Sequence, residues 1–201
     1  AHNPKVAGSN PSRANHRYFY INSIKLILLM KITTSKKEIV DITKAWLAIT
    51  IAFAIVLRSG IGLVESLLVS AIAVGLGFLL HELGHKIVAQ YYRCFAEFRS
   101  FDSMLLLAVA MSFFGFVFAA PGAVMIHGYV NKERNGKISI AGPIINIALA
   151  LIFLALGFLF GGNLVFKYGF NINVWLALFN MIPVWNFDGA KIFRWNKIIY
   201  G

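Results

Sequence analysis

The chain has 201 residues, of which 59% are hydrophobic and 13% charged, and its formal net charge is +11. A soluble domain carries roughly a quarter charged residues, so this composition excludes one and points to a chain solvated by lipid. The basic excess does not point to nucleic acid: Lys and Arg fall in short segments between apolar blocks, with no basic helix or aromatic platform beside them, and read as topology signals.

Residues 1–29 contain no acidic residue and no helical period. They are expected to be a non-native or disordered N-terminal extension, with residues 30–201 forming the membrane-embedded domain. Gly8-Ser9-Asn10-Pro11 is what the T-loop of a transfer-RNA gene would encode in frame, so the extension reads as translation of an upstream gene.

Five apolar blocks follow, at 45–57, 61–80, 104–126, 138–160 and 172–184. Stretches of about 20 apolar residues match a hydrocarbon core about 30 Å thick. The expected fold is an all-α, multi-pass bundle in the cell membrane, with about four crossing helices plus a re-entrant or hairpin element. Cys94 is the single cysteine, which excludes a disulfide framework and a CxxC metal site.

The second block closes on Leu80-His81-Glu82-Leu83-Gly84-His85, an HExxH sequence. On a helix His81 and His85 share one face, so both imidazoles can reach one metal ion. Neutral imidazole suits Zn²⁺, one ion per chain, and Glu82 can hold and deprotonate a water there without ligating the ion. Ionisable side chains closing an apolar helix are functional by default.

A catalytic zinc usually takes a third protein ligand. Glu65 lies about 24 Å along the helix from His81 and cannot reach. Asp102 reads as a surface partner of Arg99, and Glu97 and Glu133 sit among basic residues in connecting segments. Asp188 remains. It follows Asn180-Met181-Ile182-Pro183-Val184-Trp185-Asn186-Phe187, where Pro183 breaks the last helix inside apolar sequence, and precedes Gly189, which permits a tight turn.

With HELGH at 81–85 and NMIPVWNFDG at 180–189, the chain resembles the site-2 protease family of intramembrane metalloproteases. Ala141-Gly142-Pro143-Ile144-Ile145-Asn146 resembles the family's AGPxxN helix start, and Phe187 stands where Leu commonly precedes the DG pair. The resemblance implies that His81, His85 and Asp188 bind zinc and that Glu82 activates water. It also implies that the substrate is a transmembrane segment of a membrane-anchored protein. Asn180 is then a candidate for holding a substrate strand or the developing oxyanion, and Asn146 for a similar part. A bond capping or joining helices is the alternative for both asparagines.

For His81, His85 and Asp188 to meet at one depth, the second and last blocks must cross in the same direction, with an odd number of crossings between them. Two blocks intervene, so one of them should enter without crossing. If it is 104–126, bending at Ala119-Ala120-Pro121-Gly122, thirteen Lys and Arg from Met30 onward lie on one side and only Arg58 and Lys167 on the other. The positive-inside rule makes the richer side cytosolic and puts the active site near it. A strand at 122–128 could then pair with an unwound substrate, and His127 reads as an interfacial histidine, with a substrate or proton contact as the alternative.

Two other classes share some of these features. A transporter or ion-binding membrane protein also uses broken helices but commonly shows internal repeats, and none is recognisable here. A catalytically silent binder of transmembrane helices would not need His81, Glu82, His85 and Asp188 intact.

Overall fold

Ser35 opens the first helix by accepting the Glu38 N–H on its hydroxyl at 3.1 Å. In the computed structural model, which describes residues 32–117 and 121–201, this helix is α1, Lys36–Ile61. The expected extension at 1–29 lies outside the described residues, as do Ala119 and Ala120 of the expected bend.

After Gly62 the chain runs through α2 (Leu63–Val69), a π-helical turn (Ser70–Gly75) and α3 (Leu76–Tyr91) as one 29-residue helix. Strand β1 (Phe95–Ser100), helix α4 (Asp102–Ser112) and strand β2 (Gly122–His127) come next. Then follow α5 (Lys132–Phe160), α6 (Leu164–Asn180), α7 (Asp188–Trp195) and α8 (Lys197–Tyr200). Among the described residues, three helices are long and apolar enough to cross a membrane: α1, the continuous Leu63–Tyr91 helix, and α5. Helix α6 has 17 residues.

The third apolar block is not one helix. It divides into the 11-residue α4, about 16 Å long and half a bilayer core, and β2, which begins one residue after Pro121. The expectation of an all-α fold with a hairpin element needs this amendment: the hairpin is β, with β1 and β2 antiparallel and Phe98 opposite Val124. Strand β1 has no counterpart in the sequence reading, because Arg99 and Glu97 mask its apolar alternation.

The long helices alternate in direction. His85 bonds the Ile138 carbonyl and His81 bonds Asn146, so rising along α3 means descending along α5. Gly169 of α6 lies against Phe153 of α5, and Asn173 against Asn146, so α6 is reversed again. Helices α3 and α6 therefore run in the same sense with one long helix between them. His81, His85 and Asp188 can share one depth only if the helices that carry them run this way.

The interior is built largely of small residues, among them Ala45, Ala52, Ala73, Ala89 and Ala150, while Leu106, Phe158, Leu159 and Phe160 point outward. Small residues let helix backbones approach closely, and large apolar ones face lipid at no cost. Among the buried charges, Glu38 pairs with Lys86 at 2.7 Å, joining α1 to α3. Asp102 is partnered by Lys44 at 2.7 Å rather than by Arg99, which reaches Glu97 and Asp41. The Lys44 ammonium and then the Ser100 hydroxyl hold the Asp102 carboxyl below the usual carboxylate range.

Candidate metal centre

Helix α3 continues past the apolar block to Tyr91, so the HExxH residues lie within it rather than at its end. One turn apart, His81 and His85 stand edge to face with ring centroids 4.7 Å apart and Nε2 atoms 3.1 Å apart. Their other nitrogens fix the tautomers. His81 Nδ1 lies 2.6 Å from Asn146 Oδ1 and His85 Nδ1 lies 2.8 Å from the Ile138 carbonyl, and since both partners are acceptors, both Nδ1 atoms carry the hydrogen. Each Nε2 is left with a lone pair turned to the same point.

Asp188 arrives from the other end of the fold. Helix α6 stops at Asn180, the chain turns through Pro183 and a left-handed Trp185 (φ +48°), and α7 starts at Asp188. Gly189 passes so close to the Met181 carbonyl that a Cβ would overlap it. The packing places Asp188 Oδ2 at 3.2 Å from His81 Nε2 and 3.0 Å from His85 Nε2, while Oδ1 faces the Lys191 ammonium at 3.4 Å.

Three acceptor atoms facing one point repel unless a cation sits among them. Ligand atoms about 2.1 Å from a tetrahedral ion stand roughly 3.4 Å apart. The triangle of 3.0–3.2 Å edges formed by His81, His85 and Asp188 is compatible with that, within a few tenths of an ångström. All three residues are buried. Gly142 makes the close approach of α5 possible, since a Cβ there would stand 2.5 Å from the His81 ring and 2.6 Å from His85 Nε2.

Glu82, next to His81 in the helix, reaches the hairpin, where its Oε2 accepts the Val124 N–H at 3.1 Å. Leu79, Leu83, Lys86 and Phe98 share a small cavity with it.

The asparagines separate. Asn146 is fully buried; besides facing His81, its amide group donates to the Gly77 carbonyl at 3.2 Å and to Asn173 Oδ1 at 2.9 Å. Both of its hydrogens are used within the fold, in bonds of the kind that join helices, and its oxygen faces His81. Asn180, partly exposed, donates to the Leu176 carbonyl at 2.9 Å and keeps a second hydrogen. His127 is exposed at the end of β2, its ring against Phe95. Asn173 was missed by the sequence reading. A polar residue inside the last apolar block is itself an intramembrane signal and could have found it.

The chain is 42% identical over 172 residues to a protein of Methanocaldococcus jannaschii named "Putative zinc metalloprotease MJ0611", covering 83% of this chain and 88% of that one. It is 29% identical over 120 residues to "Zinc metalloprotease MJ0392" of the same organism, covering 58% of this chain and 30% of the relative. No family model and no solved structure matches.

Proposed function

The chain belongs to the site-2 protease family, and from that premise we propose that it is a zinc-dependent endopeptidase that cuts membrane-anchored proteins within or near their transmembrane segments. The observation that carries this reading is the convergence of His81 Nε2, His85 Nε2 and Asp188 Oδ2 within 3.2 Å of one another, beside Glu82. In this proposal those three side chains hold one zinc ion per chain. Bound there, zinc would supply Lewis acidity to water and to the scissile carbonyl.

The chain's own residues do the rest. Asn146 and the Ile138 carbonyl keep both imidazoles in the ligating tautomer, and Lys191 turns Asp188 so that one oxygen faces the centre. Glu82 takes a proton from the attacking water and returns it to the leaving amine. Asn180, with one donor hydrogen unspent, is the candidate contact for the substrate carbonyl.

A peptide bond inside a helix is shielded by its own hydrogen bonds, so the substrate must unwind. We assign β2 as the strand to which the unwound segment adds, because it is the hairpin edge that faces Glu82. In the membrane, α1, the Leu63–Tyr91 helix, α5 and α6 cross, with α4 and the hairpin forming a re-entrant element. The basic segments and the active site lie towards the cytosol in this multi-pass arrangement.

Glu82→Gln tests the chemistry. Cleavage of a co-expressed membrane-anchored protein should stop while stoichiometric zinc remains bound. Continued cleavage would remove Glu82 from the mechanism.

A further inference from the structure

The β-hairpin has two outer edges, and one residue pair presents a backbone donor on each. Phe98 and Val124 stand opposite one another, yet neither spends its N–H on the facing strand. Phe98 donates to Glu38 Oε1 at 2.9 Å and Val124 donates to Glu82 Oε2 at 3.1 Å. This is the non-hydrogen-bonded position of an antiparallel ladder, where both amides point outward. Two glutamates from different helices close the two edges at the same register.

The closures differ in kind. Glu38 is 0% exposed and its second oxygen holds Lys86, itself 2% exposed, at 2.7 Å. Opening the β1 edge would strand a buried charge, which is strongly unfavourable. Glu82 is only half-buried, and among the described residues no cation is paired with it. The β1 edge is therefore shut by a fixed ion pair, and the β2 edge by a single side chain, the one assigned above as the proton carrier.

Resting on the reading that substrate adds as a strand to β2, we propose that the substrate backbone and Glu82 compete for the Val124 N–H, so that docking of the strand itself releases the Glu82 carboxylate to the metal centre. Val124 lies in the middle of β2, so a strand paired along Gly122–His127 must meet its amide. A substrate carbonyl there replaces the carboxylate acceptor for acceptor, and no buried donor is left unmet. Val124 is in this sense a positioning residue: its main chain holds the base aside until the edge is filled.

The test uses the full chain in detergent with metal removed by chelation, so that nothing is cleaved. The probe is a fluorescent synthetic single-span peptide, a poly-leucine helix with a central Gly-Ser-Ala-Gly break carrying a photo-crosslinker. Glu82→Ala removes the competitor and should bind the probe about tenfold more tightly than the unsubstituted chain. Glu82→Gln keeps an oxygen acceptor and should change affinity less than about threefold. Val124→Pro deletes the outward N–H while leaving the β1 ladder intact, and in that background Glu82→Ala should have no effect. Circular dichroism reports whether each variant is folded. If Val124→Pro does not fold, the contrast between Glu82→Ala and Glu82→Gln decides alone. Crosslinks on β2 with equal affinities for all forms at position 82 would overturn the competition and leave strand addition standing. Crosslinks that avoid β2 in every form would remove both.

Discussion

Asn146 donates to Asn173 Oδ1 at 2.9 Å, and this bond decides which way the Asn146 amide faces His81. Asn173 has no freedom of its own, since its amide nitrogen donates to the Ala73 carbonyl at 3.3 Å and the Gly169 carbonyl at 2.9 Å. Ala73 lies in the π-helical turn, whose irregular backbone offers carbonyls sideways; Trp46 takes another, that of Ala71, at 3.0 Å. The orientation of His81 thus depends on a polar chain running from α6 through α5 to α3, all of it buried.

Replacing Asn173 should therefore weaken metal binding although Asn173 touches neither histidine ring. Asn173→Leu frees Asn146 to flip its amide, which would set a donor against His81 Nδ1. Zinc affinity, measured by competition with a chromophoric chelator, should fall about 10–100-fold with helix content unchanged. Asn146→Leu should behave alike, and the double variant no worse than either single one, because both act through the same bond. Additive losses would show that the two asparagines act separately.

Gly142 offers a steric test of the same centre. A methyl group there meets the His81 ring at 2.5 Å, and both rings are already fixed by their Nδ1 bonds. Gly142→Ala should lower zinc affinity more than about tenfold, by pushing α5 away from α3. Gly84→Ala is the comparison, since its added methyl meets chiefly the movable Cδ1 end of Ile145. It should retain zinc within about threefold of the unsubstituted chain. Equal losses from the two would mean that helix spacing in general, and not contact with the rings, controls the site.

What could be read from the sequence and what could not divide along a physical line. HExxH spacing carries its own geometry, because i and i+4 share a helix face, and only a few carboxylates were available to complete it. The convergence of His81, His85 and Asp188 was legible for that reason. Strand β1 was not, because its buried face is made by Ala96 and Phe98 while Glu97, between them, is held by Arg99. The pairing of Glu38 with Lys86 was illegible for a different reason: the two are 48 positions apart, and neither lies in an apolar block. Helix boundaries were also shifted, with α6 beginning at Leu164 rather than at residue 172, because Lys167 interrupts the apolar run without interrupting the helix.

That buried pair should carry much of the hairpin's attachment. Lys86→Met keeps most of the aliphatic stem but leaves the Glu38 carboxylate alone at 0% exposure. Breaking one side of such a pair costs about 3–5 kcal/mol, so thermal unfolding in detergent should occur at a clearly lower temperature. Adding Glu38→Gln removes the stranded charge while the amide oxygen can still accept the Phe98 N–H, and should recover part of the loss. Failure of the second change to recover any stability would mean that the ammonium matters for packing alone.

The proposed topology makes a prediction that depends on α5. Its 29 residues extend about 43 Å, more than the roughly 30 Å of a hydrocarbon core, so its two ends should emerge on opposite faces. Glu133 lies in its first turn, while Lys167 lies in the first turns of α6, just beyond its far end. In a Cys94→Ser background, a cysteine at Glu133 should react with a membrane-impermeant maleimide only after cells are opened, and one at Lys167 should react in intact cells. The reverse pattern would turn the active site away from the cytosol. Reaction of both from the same side would show that α5 does not cross, and would break the four-crossing arrangement along with the re-entrant assignment of α4 and the hairpin.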